Sequence, residues 1–502
     1  MEARNFITAR EMLTDGNWVL TTMNGEARYE KPPLPTWLTA FSAYVSGKTT
    51  IWALRLPAAL MVILLSIGVY MLSRKLKISK RHSLINALIT STSLYVIVII
   101  FEAPWDIYTH TFALFAVYGV VHLVRQKQAD FKTILYICLG IASSVLSKGP
   151  IGLYALFIPF LLAYGIIYRK HISKKSWLLI ASISILGLAL GFSWYVYVRY
   201  ADPEAFAVIA QEETANWTSF NVRPFYYYWS FFTQSGLWAI PAFISLLYPY
   251  MKSRVQDIKC YQFTLLWTLL AVILLSIIPE KKTRYLMPVL IPLALNTGYY
   301  IYYLVKSFAA LKDKRETIPV YFYFGLIPTI LSLGIFAFIA YLLSTQKEVV
   351  WYTYILAIVP FLISFLGLIA LRRKDILRVF YLSIISLVVL TPFWLSVQRN
   401  FKFQSVYPIL NTVKIYSYEL DTPEVWFTMG IKAPNFGPNE SLKYPKESHF
   451  LFMDYVTTGN SRHCDYLKDY KLRIVDTINI NDPAKKLRKR KYLQLIEAIK
   501  RL

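Results

Sequence analysis

Twelve apolar runs, each long enough to cross a bilayer, divide this chain, and short basic clusters fall between them at every second connection. The runs lie near 52–73, 84–101, 107–124, 132–147, 151–168, 177–198, 229–250, 261–278, 285–305, 318–343, 351–371 and 379–397. A crossing takes roughly 20 apolar residues, so the pattern predicts an α-helical polytopic membrane protein with about 12 visible transmembrane helices. The basic clusters lie at 74–81, 125–132, 169–175, 252–259, 306–315 and 372–378. If every run crosses, all of them fall on one side, and the Lys/Arg excess of cytoplasmic loops identifies that side. The 56% hydrophobic and 16% aromatic content exceeds what a soluble domain of 502 residues needs. The net charge of +25 resides in these loop clusters, so membrane lipids are expected as partners and nucleic acid is not. Cys138, Cys260 and Cys464 are scattered and odd in number, which implies neither a disulfide framework nor a metal knuckle.

The remaining connections then face outward: 1–51, 102–106, 148–150, 199–228, 279–284, 344–350 and everything after 398. Three domains are expected: a first external loop with interfacial helices (1–51), a transmembrane domain (52–398) and a small C-terminal α/β or α+β extramembrane domain (399–502). In the last, β-rich stretches at 413–420, 425–431, 449–456 and 472–480 alternate with polar loops. After a basic stretch from Pro483, Tyr492, Leu495, Ile496, Ile499 and Leu502 recur at helical spacing and predict a terminal amphipathic helix. Such a helix would pack on its own domain or face anionic headgroups. Residues 1–51 are external in this topology with no apolar segment ahead of them, so a first helix upstream of Met1 is expected to be missing.

The outward loops carry the unusual residues. In Tyr29-Glu30-Lys31-Pro32-Pro33, the prolines restrain the backbone and aim Lys31 in a defined direction. Glu102 and Asp106 flank Pro104-Trp105 at the outer end of a run, with His110 one turn on; carboxylates at a membrane edge are functional candidates. They also read as an interfacial pair beside an anchoring Trp. Lys148 sits at the Gly149-Pro150 turn, either snorkelling or facing an anionic group. Glu280-Lys281-Lys282-Thr283-Arg284-Tyr285 places three cations in four residues on the side that normally lacks them, which suits a phosphate.

Residues 26–37, with Glu2-Ala3-Arg4 ahead and Lys148-Gly149-Pro150 behind, resemble the first outer loop of one enzyme class. It comprises the membrane glycosyltransferases that use lipid-phosphate-linked sugars: the bacterial aminoarabinose transferases and their protein O-mannosyltransferase relatives. The resemblance implies the GT-C fold, a bacterial inner-membrane location with the C-terminal domain in the periplasm, and inverting sugar transfer. The donor would be a polyprenyl (undecaprenyl) phosphate sugar, and the acceptor lipid A, another glycan or a protein. It assigns Arg4, Lys31, Lys148, Lys281, Lys282 and Arg284 to the donor phosphate, and Tyr29, Glu30, Arg223 and Tyr285 to substrate binding. Glu2 and Asp106 become the catalytic carboxylates; the family's presumed base, an Asp, would fall at Met1. Read locally, Arg4 is also an ordinary surface cation. The family's metal-binding His position holds Asn221, so no cofactor is required and a divalent metal is not carried over. A flippase or transporter for a lipid-linked glycan, or an inactive GT-C homologue, are the other classes compatible with this pattern.

Overall fold

The computed structural model describes residues 2–47, 50–102, 104–126, 130–326 and 351–397, isolated positions between 326 and 351, 413–457 discontinuously, 467–479 and 491–501. Met1, Cys464, the side chain of Glu102 and the basic stretch 483–490 lie outside the described residues. The chain forms two compact units.

The first unit combines residues 1–29 and 36–54 with 399–502. Helix α1 (Glu2–Asp15) buries Ala3, Phe6, Ile7, Ala9 and Met12. A short hairpin of β1 (Thr22–Met23) and β2 (Glu26–Ala27) follows, then α2 (Leu34–Ser46). Asn5 ties the two helices, donating to Thr39 and accepting from Thr36, each at 2.8 Å. Buried Glu11 accepts from Thr22 Oγ1 and from the backbone N–H of Asn24, at 2.6 and 2.7 Å. The C-terminal strands β3 (Ile415–Tyr418), β4 (Asn435–Phe436), β5 (His449–Thr457), β6 (Tyr470–Asn479) and β7 (Lys491–Lys500) form a sheet ordered β4-β3-β5-β7-β6. β3 runs parallel to β4 and β5, whereas β7 is antiparallel to both its neighbours. Ile7 of α1 shares a core with Ile415, Leu451, Met453, Leu493 and Leu495.

Two readings of this region are corrected. The segment expected as a terminal helix is β7, an inner strand. Leu493 and Leu495 enter one core while Ile496 and Ala498 enter the core on the opposite face. A strand apolar on both faces also satisfies helical spacing, and cross-strand pairing decides the outcome. Within 425–431, expected to be β-rich, Trp426 and Phe427 are helical.

The second unit, residues 30–35 and 55–398, is helical. It contains most of α3 (Ile51–Lys75), then α4 (Lys80–Thr92), α5 (Leu94–Glu102), α6 (Pro104–Gln126), α7 (Phe131–Lys148), α8 (Ile158–Tyr168), α9 (Lys174–Ala201) and α10 (Pro203–Ser219). After these come α11 (Ala239–Leu246), α12 (Tyr248–Met251), α13 (Ile258–Ile277) and α14 (Leu290–Ser307), and finally helices Trp351–Arg372 and Ile376–Val397. Ser79, Asp130, Ser173 and Asp257 cap α4, α7, α9 and α13 by accepting backbone N–H groups, all at basic ends. Cys260, expected in a loop, lies in the first turn of α13.

Among the described residues, α3, α6, α7, α9 and α13 are each long and apolar enough to cross a membrane; α4 and α5, bent by 51°, make a sixth if they form one span. Other apolar runs are interrupted. The run 229–250 breaks at Gly236 (φ 60°) into a 3₁₀ turn, α11 and α12, and 285–305 opens with a 3₁₀ turn containing Pro288. The run 318–343 falls largely outside the described residues.

Helices α6, α7 and α9 pack side by side through small residues. A Cβ on Gly140 of α7 would lie 2.7 Å from the Ala116 nitrogen and 2.9 Å from the Phe112 carbonyl of α6. A Cβ on Gly187 of α9 would lie 2.8 Å from the Cys138 carbonyl. Backbones this close are typical of helices packed in lipid, where dispersion contacts replace the hydrophobic effect.

Candidate active site

The connection between α6 and α7 is short, so the start of α6 and the end of α7 meet at the opposite end of the pair. Thr109 of α6 donates to the Ser144 carbonyl of α7 at 2.8 Å and fixes this register. Beyond it, Asp106 in the first turn of α6 faces Lys148 in the last turn of α7, with Lys148 Nζ 2.5 Å from Asp106 Oδ1. The carboxylate sits at a helix N-terminus and the ammonium at a helix C-terminus, so each charge favours its own dipole end. Gly149, at φ 72°, stops α7 immediately after the lysine.

Both partners are enclosed: the side chains of Asp106 and Lys148 are 1% and 12% exposed. His110 lies one turn on, its Nε2 3.9 Å from Asp106 Oδ1. Asp106 Oδ2 and His110 Nδ1 are buried without a hydrogen-bond partner in the protein. A pair of this kind is held by geometry; removing one member would strand the other charge at a cost of about 3–5 kcal/mol.

Further cations gather around the pair. Lys31 and Arg284 are close enough to Lys148 to repel its charge. Lys31 Nζ donates to the Glu30 carbonyl at 3.0 Å and lies 3.4 Å from Glu213 Oε2 on α10. The Tyr285 ring stands among three cations, its centroid 5.0 Å from Lys148 Nζ, 5.6 Å from Lys282 Nζ and 5.8 Å from Arg284 Cζ. Its hydroxyl donates to Glu280 Oε1 at 3.3 Å, and the same carboxylate pairs with Lys282.

Lys281 is used differently. It is buried, and its ammonium donates to the carbonyls of Arg223 and Ile278, at 3.2 and 2.5 Å. Its backbone N–H donates to the Asn221 carbonyl at 3.1 Å, and Val222 and Glu280 form a β-bridge. Burial holds its pKa below the usual lysine value. Lys281 therefore ties loop 221–223 to loop 279–282. Arg223 contributes a carbonyl to the lock and exposes its side chain.

Of the residues singled out by sequence, the structure brings together Lys31, Asp106, Lys148, Lys282, Arg284 and Tyr285. Glu30 adjoins Lys31 and offers it a backbone carbonyl. Glu2, Arg4 and Tyr29 belong to the first unit; the Arg4 carbonyl accepts from Arg28 at 2.8 Å, and Tyr29 is buried. Sequence reasoning attached no role to Glu213 because nothing in the loop distinguishes it from Glu212. Among the described residues, no group of three or more His, Cys, Asp or Glu side chains could hold a metal. The arrangement suits a phosphate: several cations at one rim of a helical bundle, backed by acids that hold them in place.

Residues 30–195 match the family model described as dolichyl-phosphate-mannose-protein mannosyltransferase. A Yersinia enterocolitica undecaprenyl phosphate-alpha-4-amino-4-deoxy-L-arabinose arabinosyl transferase is 25% identical over 306 residues, 60% of this chain and 54% of that protein. An Aquifex aeolicus protein of uncharacterised activity is 25% identical over 302 residues, 59% of this chain and 57% of its own length. The chain thus matches about half the length of these relatives. The crystal structure of ArnT from Cupriavidus metallidurans in the apo state superposes with a TM-score of 0.66 at 14% identity, covering 98% of this chain and 93% of that one. The same protein bound to undecaprenyl phosphate gives a TM-score of 0.64, also at 14% identity, with the same coverage. The chain has the fold of the ArnT structures, and residues 30–195 are similar to the dolichyl-phosphate-mannose-protein mannosyltransferase family.

Proposed function

We propose that this protein transfers a sugar from a polyprenyl phosphate to an acceptor on the periplasmic face of a bacterial inner membrane, with inversion. The reading rests on one observation: Lys148, paired with buried Asp106 at one end of the helical unit, lies within electrostatic reach of Lys31 and Arg284. The undecaprenyl phosphate bound to the ArnT neighbour, and the undecaprenyl-phosphate sugar in the names of the enterobacterial relatives, support a lipid-phosphate donor. An oxygen of lipid A, another glycan or a protein attacks the anomeric carbon from the face opposite the lipid phosphate. The bond from that carbon to the phosphate oxygen breaks, and its electron pair leaves with the phosphate. Lys31, Lys148 and Arg284 stabilise the charge that develops there, with Lys282 completing the binding set. The acceptor proton passes to a carboxylate. Asp106 acts through Lys148, holding the ammonium aimed. A phosphate is already a capable leaving group, so this chemistry requires no metal.

The test supplies membranes containing the chain with radiolabelled polyprenyl-phosphate sugar and outer-membrane or protein acceptors. Label is expected to reach an acceptor, and Lys31→Ala should lower transfer by about 100-fold or more while leaving a folded protein. Transfer unchanged by Lys31→Ala rejects the site; label that changes leaflet without bond cleavage identifies a transporter instead.

A further inference from the structure

We propose that Glu213 is the counter-ion Lys31 releases when a lipid phosphate binds, and that its return helps expel the product. The proposal rests on the reading of this cluster as a polyprenyl-phosphate site. Three cations there are each matched by a carboxylate: Lys148 by Asp106, Lys282 by Glu280, and Lys31 by Glu213. Arg284 has no carboxylate partner among the described residues, and its buried Nε has no acceptor.

The three pairs differ in how easily they part. Asp106 is enclosed, so withdrawing Lys148 would leave a buried carboxylate with no counter-charge. Glu280 is also enclosed and holds the Tyr285 hydroxyl besides Lys282. Lys31–Glu213 is the longest of the three, at 3.4 Å, and its carboxylate is the most exposed, at 38%. Among the described residues Glu213 accepts a hydrogen bond from no other donor. Once released it is solvated by water, so its separation from Lys31 is the least costly.

Position supports the same choice. Lys31 contacts Glu213 and is repelled by Lys148. Glu213 also acts electrostatically on the Tyr195 hydroxyl, which lies 3.2 Å from where a Cβ on Gly149 would stand. The carboxylate therefore overlooks the end of α7 that carries Lys148. An incoming phosphodiester meets one uncompensated guanidinium and one loosely held ammonium. The product monoester carries more negative charge than the donor diester. A carboxylate that competes for Lys31 weakens the hold on that product.

The experiment measures equilibrium binding of undecaprenyl phosphate to the full chain in detergent, with undecaprenol as the uncharged control. Glu213→Gln should bind undecaprenyl phosphate about two- to five-fold more tightly than the native chain. Glu213→Asp, which keeps the charge, should stay close to native affinity. Lys31→Ala should weaken binding, and adding Glu213→Gln to it should restore nothing. Equal or weaker binding by Glu213→Gln overturns the proposal, as does an undiminished gain without Lys31. If Lys31→Ala weakens binding and Glu213→Gln changes nothing, only the role of Glu213 falls. If the native chain fails to prefer undecaprenyl phosphate over undecaprenol, the transferase reading falls with it.

Discussion

Asp106 and Lys148 carry opposite charges in a place where water barely reaches, and each is tolerable only because the other is present. Asp106→Ala or Lys148→Ala should destabilise the protein by about 3–5 kcal/mol, whereas replacing both by apolar residues of similar volume should restore much of that stability without restoring transfer. Thermal unfolding in detergent beside a transfer assay separates the two effects. Transfer recovered by the apolar double variant would show that the pair only holds the fold. A second pair permits a test by pH. Arg254 donates to Glu316 at 2.6 Å, and this bond, aided by Tyr303 and Tyr250, holds the Glu316 pKa below its usual value. A carboxyl with a lowered folded pKa adds stability above its unfolded pKa, and that stability is lost as pH falls through the folded value. Glu316→Gln should therefore lower the melting temperature at neutral pH and have little effect once the medium is acidic enough to protonate the native carboxyl. A melting difference that persists in acid would show that the charge is irrelevant.

At the scale of the element, the site depends on how closely α6 and α7 approach. Gly140 allows that approach, because a Cβ there would meet backbone atoms of Phe112 and Ala116 that cannot swing aside. Gly140→Leu should cost about 1–3 kcal/mol or more, spread the two helices and reduce transfer, although it touches none of the charged residues. Unaltered thermal stability in that variant would contradict the close packing. The helices themselves were legible: apolar length and alternating basic loops identify α3, α6, α7, α9 and α13. Breaks at Gly236 and Pro288 were less so, since an apolar run continues through a bent backbone. The strand β7 was misread because a doubly buried strand carries no alternation to distinguish it from a helix. Leu495→Asp should therefore unfold the first unit, seen as rapid proteolysis of the C-terminal sheet, while the helical unit keeps its far-ultraviolet signal. A terminal helix would tolerate the same change far better.

At the scale of the whole molecule, the sheet of the first unit is built from residues after 413, yet it packs α1 from the other end of the chain into its core through Ile7. Asn24 reinforces that long-range closure, because its side chain accepts from the Ala433 backbone N–H at 2.6 Å and donates to the Ala433 carbonyl at 2.5 Å. No local pattern announces such contacts, because they arise only when distant segments share one core. The amino-acid sequence alone determined the membrane class and the identity of Lys31, Asp106, Lys148 and Arg284 as unusual charges. Periodicity and the energetics of placing charge near lipid are local properties, so they are written in local sequence. Only the tertiary structure decided which charges face one another. It joined Asp106 to Lys148 and Lys31 to Glu213, and turned Lys281 inward to bind carbonyls, because pairing depends on helix register and burial that a linear pattern does not contain.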